Sequence, residues 1–337
     1  MATVSVFIPC YKYGHYLRAC VESVLRQRDV AVRVLILDDC SPDDTPEIGA
    51  QLQREDARVE YRRHARNVGH IKTYNEGLEW ASGDYVLLLS ADDMLSAGAL
   101  ARAARIMDEH PEVVLTCGRE VRSATLRFDA VPDPADFSWQ ILSGAEFWER
   151  SCSQGGNLVS TPTAIARTTV HKQVGGYSAS LPHSGDLEMW LRLAAHGSVA
   201  VIDAVQGFYR VHGGNMSVGF EGLLDFQQRK AAFDAAGASC GGRIPDSPRM
   251  VTRAARALAE QAFWLASRLF EENELLLSRR CLDEALCMCP ELKSWRSWRR
   301  LQLKKLLGPG VWRLFRPLMN RARRRPAPQL IRAGGHC

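Results

Sequence analysis

The sequence predicts an α/β fold built on a parallel sheet with helices packed against it, and three observations carry that prediction. Over the first ninety residues, short apolar runs alternate with segments whose apolar residues recur at helical spacing, the strand–helix–strand order of a parallel sheet. Two of the runs, VRVLILDD (32–39) and LLLSADD (87–93), are nearly continuously apolar, as strands covered on both faces are, and both end in adjacent acids. The chain has 337 residues and is 46% hydrophobic, enough to bury a sizeable core in one large domain with an appendage, or in two domains.

The elements follow in order. VSVFIP (4–9) is a short β-branched strand, after which Leu17, Val21, Val24 and Leu25 mark a helix. The strand 32–39 leads through the turn CSPDDT into a helix from Thr45 to Leu52. VEYRRH (59–64) is a third strand, and residues 71–82 form a helix with Tyr74, Leu78 and Ala81 on one face. Ser82-Gly83-Asp84 then turns the chain into the strand YVLLLS. A helix over 98–109 and a strand at VVLTCG (113–118) come next, followed by a weakly periodic stretch to about 160. Between 161 and 219 the pattern tightens, with TAIARTTVHKQVGGY, GDLEMWLRLAAHG and the strand VAVIDAVQGFYRVHGG. From about 248 the chain reads as wholly helical; its spacing slightly resembles one tetratricopeptide unit, too few for a repeat array.

Charge is unevenly distributed. The net formal charge is +5, but residues 291–337 carry thirteen Lys or Arg against one acid, leaving residues 1–290 at −7. In that tail the cations are interleaved with Trp295, Trp298, Leu301, Leu303, Leu306, Leu307, Val311, Trp312, Leu314 and Phe315, a composition suited to an anionic membrane surface. Nucleic acid and a solvated helix are the competing readings of such a run, and nucleic acid is not expected here. No apolar stretch reaches the length of a membrane span, the N-terminus lacks a signal-peptide pattern, and the ten cysteines show no metal-binding CxxC spacing. A reducing cytosol is the expected compartment, with the inner face of the cell membrane as the place of any peripheral attachment.

The chemistry concentrates in four places. Asp38-Asp39 and Asp92-Asp93 close two strands and fall on the same edge if the strands are parallel, the edge where open α/β sheets hold ligands. A carboxylate at one strand end can accept from a nucleobase N–H or a ribose hydroxyl; one at the other can hold Mg²⁺ or Mn²⁺, which prefer hard oxygen ligands. Neither GxGxxG after the first strand nor GxxxxGK is present, so a bound diphosphate needs its charge neutralised by a metal. Asp186 precedes an amphipathic helix, where it either caps the helix or serves as a general base, with Glu188 as its rival. His212, in YRVHGGNMS, is a metal or diphosphate contact or a loop residue satisfied by its own backbone.

VSVFIPCYKYGHYLRACVESVLRQ, VLILDDCSPDDT, RNVGHIKTYNEGLEWASGDYVLLLSADD, GDLEMWLRL and YRVHGG, in this order and spacing, resemble family 2 glycosyltransferases over about residues 3–218. The resemblance implies a GT-A fold, a Rossmann-like mixed sheet flanked by helices, with a helical C-terminal region. Domains are then expected at 1–220 (GT-A), 221–290 (helical) and 291–337 (basic amphipathic tail). It implies inverting transfer from a nucleotide-diphosphate sugar, a UDP-sugar being favoured, to a glycan or lipid-linked hydroxyl in bacterial surface or exopolysaccharide synthesis. By the same resemblance Pro9 and Tyr11 line the nucleotide pocket, Asp39 bonds the base with Asp38 beside it, and Lys72 lies where the chain approaches the nucleotide. Asp92 is the expected ligand of Mn²⁺ or Mg²⁺, with Asp93 and His212 as further candidates, and Asp186 is the catalytic base. Ser90 stands where the family's metal motif commonly begins with Asp, and a serine there can still bond a sugar or ribose hydroxyl. Two other classes share these acids: a metal-dependent nucleotidyl or phosphoryl transferase, which calls for a phosphate-cradling loop, and an inactive nucleotide-binding scaffold.

Overall fold

β1 (Thr3–Cys10) is apolar and buried along most of its length because it lies between two parallel neighbours, β2 (Ala31–Asp38) and β4 (Tyr85–Leu88). Phe7, Ile8, Leu35, Ile36 and Leu37 are fully buried, each stabilising the sheet by about 1.5–3 kcal/mol relative to exposure. The computed structural model describes residues 1–128, 131–134, 136–220 and 222–321. Residues 322–337, and with them the last four arginines of the basic tail, lie outside the described residues.

The strands β3 (Val59–Arg63), β5 (Met94–Leu95), β6 (Val113–Ser123), β7 (Trp139–Leu142), β8 (Ile165–Arg167) and β9 (Ser198–Arg210) complete one sheet. Its order is β3-β2-β1-β4-β8-β6-β9-β5, with β7 also paired to β9. β8 runs antiparallel to both β4 and β6, whereas β6 and β9 are parallel. The sheet is therefore mixed, not parallel throughout as strand alternation alone predicts. The strands that make it so, β5, β7 and β8, have two to four residues, too few to show a period.

Chain order reverses on either side of β1, since β2 and β3 follow on one side and β4 on the other. The β1–β4 register runs from Val4–Tyr85 to Phe7–Leu88, and Leu89 N still donates to Phe7 O. Pro9 has no N–H with which to continue that ladder, while β1 stays paired to β2 as far as Cys10–Asp38. The proline thus ends β1–β4 pairing at the switch point of the sheet, the position where α/β folds open a crevice for a ligand.

Helices α1 (Gly14–Leu25), α2 (Thr45–Glu55), α3 (His70–Trp80) and α4 (Ala99–Glu109) follow β1, β2, β3 and β5. α3 packs directly on β1 because residue 77 is glycine: a Cβ there would lie 2.2 Å from Phe7 Cδ2. α5 (Gly144–Gln154), opened by a Ser143–Glu146 capping box, α6 (Thr168–Val174) and α7 (Gly185–Ala194) complete the layer. The fully buried Trp148 of α5 donates its Nε1–H to Leu191 O of α7 over 2.8 Å, so the helix that begins beside Asp186 is held by the core.

The chain divides into two compact units, Met1–Leu258 and Ala259–Cys337. The first includes α8 (Leu223–Ser239) and the start of α9 (Ser247–Glu271). The second contains the rest of α9, α10 (Leu275–Met288) and α11 (Arg296–Arg321), whose helical dihedrals break at Gly308 (φ 77°). Leu301 and Trp312 of α11 are buried, and Lys304 Nζ meets Glu271 Oε1 at 2.5 Å. Leu303, Leu306, Leu307 and Val311 of the same helix are exposed, Leu306 to 85%. Among the described residues no helix is long and apolar enough to cross a membrane.

Candidate active site

β2 delivers Asp38 and Asp39 to the edge beside Pro9, and both are buried in bonds supplied by the chain itself. Asp38 accepts from Ser41 N (2.8 Å) and Tyr61 OH (2.8 Å), and Arg63 Nε lies 3.3 Å from its Oδ2. Asp39 meets His64 Nδ1 (2.8 Å) and accepts from Val68 N (2.7 Å) and Gly69 N (2.9 Å). The left-handed Gly69 (φ +86°) lets the chain turn so that consecutive amides face one carboxylate before α3 begins. Asp38, which ends β2, and Asp39 after it are thus answered by Arg63, which ends the neighbouring β3, and His64 after it. The sequence signal was the cation run RRH one strand after DD; it becomes legible only once the strands are known to be adjacent.

Asp92 and Asp93 follow β4 and are also buried. Asp92 Oδ2 is 3.0 Å from His212 Nε2 and 3.4 Å from Asn215 Nδ2, while Oδ1 has no partner among the described residues. Gly214 N donates to His212 Nδ1 (3.1 Å), which fixes the ring proton on Nε2, so His212 donates to Asp92. To ligate a cation through Nε2 the ring would first exchange that tautomer and open the Gly214 contact. Asp93 accepts from Arg210 N (2.9 Å), and burial with the adjacent Asp92 charge pushes its carboxyl well above the usual carboxylate range. Arg210 also donates to Asp92 O (2.9 Å) and covers the Tyr16 ring at 4.3 Å. Tyr13 donates to Gly214 O (2.8 Å) and stands edge-on to His212, so the loop after β1 braces the loop after β9. Asn215, Tyr13, Tyr16 and Arg210 were not singled out from sequence; only the folded loops reveal their roles.

Asp186 lies in the first turn of α7, partly accessible to solvent yet packed round by protein. Asn157 Nδ2 donates to its Oδ2 (2.8 Å), Leu187 N to its Oδ1 (2.7 Å), and Thr161 Oγ1 is 3.5 Å away. Asn157 is itself oriented, since its Oδ1 accepts from Val159 N at 3.1 Å. Burial outweighs these bonds and raises the Asp186 pKa, which favours proton uptake. The rival Glu188 is consumed by a buried ion pair with Arg192 (Nε to Oε1, 2.6 Å). Burial raises the proton affinity of the Tyr74 phenol on α3, and the charges of Asp186 and Asp92 add to the shift.

The remaining expected residues occupy varied positions. Tyr11 is 40% exposed, with Lys12 Nζ 5.0 Å from its ring, and Lys72 is exposed on α3. Ser90 is half-buried beside Asp92, and its carbonyl accepts from Asp93 N. Of the aromatics between 120 and 190, Trp148, Tyr177 and Trp190 are buried core and Trp139 is half-buried. Among the described residues no group of three or more His, Cys, Asp or Glu could hold a metal ion by itself. Asp92 does fit a cation shared with a ligand, because Mg²⁺ and Mn²⁺ commonly bind one or two carboxylates plus phosphate oxygens and water. A crevice of about 1200 Å³ at the opposite end of β1, near Met1, Arg102 and Phe137, contains none of these acids.

Residues 5–168 match the family model of Glycosyl transferase family 2. TuaG of Bacillus subtilis (strain 168), named provisionally as a teichuronic acid biosynthesis glycosyltransferase, is 35% identical over 106 residues, covering 32% of this chain and 42% of TuaG. The chain spans 64%, 36% and 38% of the length of the curated relatives it matches first. Staphylococcus aureus TarS 1–349, solved with UDP-GlcNAc, superposes with a TM-score of 0.59 at 16% identity, over 87% of this chain and 92% of that one. The mannosyltransferase PcManGT of Pyrobaculum calidifontis, solved with GDP-Man and Mn²⁺, gives 0.53 at 16% identity, over 85% and 84%. The fold is that of these GT-A transferases.

Proposed function

We propose that this chain, whose residues 5–168 are a glycosyl transferase family 2 domain, is an inverting glycosyltransferase acting on a nucleotide-diphosphate sugar, with a UDP-sugar favoured. The observation that carries the reading is a division of labour among carboxylates. Asp39 is tied into the loop before α3, Asp92 keeps one oxygen without a partner among the described residues, and Asp186 has a raised proton affinity. Asp39 and Tyr11 hold the base end of the nucleotide, with Pro9 and Asp38 shaping the crevice and Lys72 and Ser90 at its margin. When bound, Mn²⁺ or Mg²⁺ shared between Asp92 and the diphosphate supplies Lewis-acid neutralisation of the leaving group.

The acceptor hydroxyl meets Asp186, whose carboxylate, oriented by Asn157 and Leu187 N, takes the hydroxyl proton. The new bond from acceptor oxygen to anomeric carbon forms as the carbon–diphosphate oxygen bond breaks on the opposite face, which inverts the centre. His212 donates to Asp92 Oδ2, the oxygen that Asn215 Nδ2 also faces. The acceptor is a glycan or a lipid-linked sugar of a bacterial surface polymer. Exposed Leu303, Leu306, Leu307 and Val311, interleaved with Arg299, Arg300 and Lys305, suit an anionic inner-leaflet surface where a lipid-linked acceptor resides.

Calorimetric titration of UDP, GDP and dTDP, with and without Mn²⁺, tests the donor site in wild type and Asp92→Ala. One nucleotide should bind in a Mn²⁺-dependent manner and lose that dependence in the variant. Binding of none would overturn the donor reading.

A further inference from the structure

His64 sits between two carboxylates: Nδ1 is 2.8 Å from Asp39 Oδ1, and Nε2 is 2.9 Å from Glu76 Oε2 on α3. A neutral imidazole carries one N–H and can donate to only one of them; the imidazolium donates to both. We propose that His64 is a positioning residue for the nucleotide, acting as an imidazolium that ties Asp39 at the end of β2 to Glu76 of α3 and so fixes the loop lining the base end of the site. This rests on the reading of Asp39 as a nucleotide contact and adds a protonation requirement to it.

The surroundings favour the charged form. The ring is mostly buried, with a side-chain exposure of 13%, so few waters can replace a missing partner. Partial burial opposes the charge, but the bonds to Asp39 and Glu76 prevail and the histidine pKa is raised. The other charged groups nearby are already engaged: Arg63 with Asp38 (3.3 Å), and Arg62 with Glu60 (2.6 Å) and more distantly Glu76 (3.8 Å). The same Asp39 accepts from Val68 N and Gly69 N, and His64 N donates to Asp38 O (2.9 Å), so the ring closes a cage around the two β2 acids. Loss of the proton leaves two acceptors facing one N–H. Asp39 or Glu76 is then released, and the loop 64–69 loses one of its anchors. A group whose folded pKa lies above its unfolded value contributes fully below the unfolded pKa and is lost as pH rises through the folded one. The tie therefore holds below the raised histidine pKa and fails as pH rises through it.

The test uses the full chain. Long-range ¹⁵N–¹H spectra of ¹⁵N-histidine protein, with His64 assigned by its absence in His64→Gln, are followed between roughly pH 5.5 and 9. Both ring nitrogens should be protonated near neutrality, with a midpoint above the ordinary value of about 6.5. Glu76→Gln should lower that midpoint. In parallel, UDP affinity with Mn²⁺ should fall on the order of tenfold above the wild-type midpoint, the size expected for one charged hydrogen bond. His64→Gln should stay at the weaker level across the range. A ring with one bare nitrogen at neutral pH, or a UDP profile identical in wild type and His64→Gln, would overturn the proposal. Failure of UDP, GDP and dTDP alike to bind at any pH, with a doubly protonated ring, would sink the nucleotide reading and leave only the ion pair.

Discussion

Asp186→Asn separates chemistry from binding and from folding, because each can be estimated from the contacts. Asparagine keeps an oxygen for Leu187 N (2.7 Å in wild type) but places an amide NH₂ where Oδ2 faced Asn157 Nδ2 (2.8 Å). Asn157 cannot readily turn over, since its own oxygen is held by Val159 N. Two donors then face each other, which costs about 1–3 kcal/mol for the lost bond. Against this, a carboxylate whose pKa is raised by burial is itself destabilising at neutral pH, and removing its charge offsets part of the loss. Net stability should change by roughly 1 kcal/mol or less, small beside the loss of a general base, worth about 10²–10⁴-fold in rate. The assay measures kcat for sugar transfer, nucleotide affinity by calorimetry and thermal midpoint in the same preparations. Transfer should fall by at least about a hundredfold, with nucleotide affinity and midpoint nearly unchanged. The sign of the pH effect also follows: the base must be ionised, so wild-type transfer declines as pH falls through a pKa above the ordinary Asp value. Transfer within tenfold of wild type, or parallel loss of nucleotide binding, would refute the assignment and leave Asp186 as an element of the α7 N-terminus.

Other outcomes follow from the same contacts. Trp148→Ala empties a fully buried site and breaks the Nε1 bond to Leu191 O, so chemical denaturation should show a loss of about 3–5 kcal/mol. Leu306→Glu changes a side chain that is 85% exposed, so the thermal midpoint should hold while sedimentation with anionic vesicles weakens about tenfold or more; unchanged sedimentation would remove the membrane role from this face. Mn²⁺ titrated alone and followed by its EPR signal should bind weakly, and tightly only with nucleotide present, because Asp92 offers a single free oxygen; tight binding without nucleotide would show a preformed metal site.

Continuous apolar runs, helical spacing and strand-end acids were local properties, so β1 to β4, the edge carrying Asp39 and Asp92, and Asp186 at the start of α7 were legible in the sequence. A two-residue β5 or three-residue β8 has no period to read, and its antiparallel pairing depends on neighbours distant in the chain. The pairing of His64 with Asp39 depends on β3 lying beside β2, and that of His212 with Asp92 spans 120 residues. Glu188 and Asp186 were alternatives while only their spacing was known; in the fold Glu188 pairs with Arg192, whereas Asp186 accepts from Asn157. What the sequence determined by itself is which residues can carry charge to one edge of a sheet. Tertiary structure alone decided which of those charges are neutralised, because hydrogen-bond partners and burial are set by elements that meet in space and leave no mark in the local order of residues.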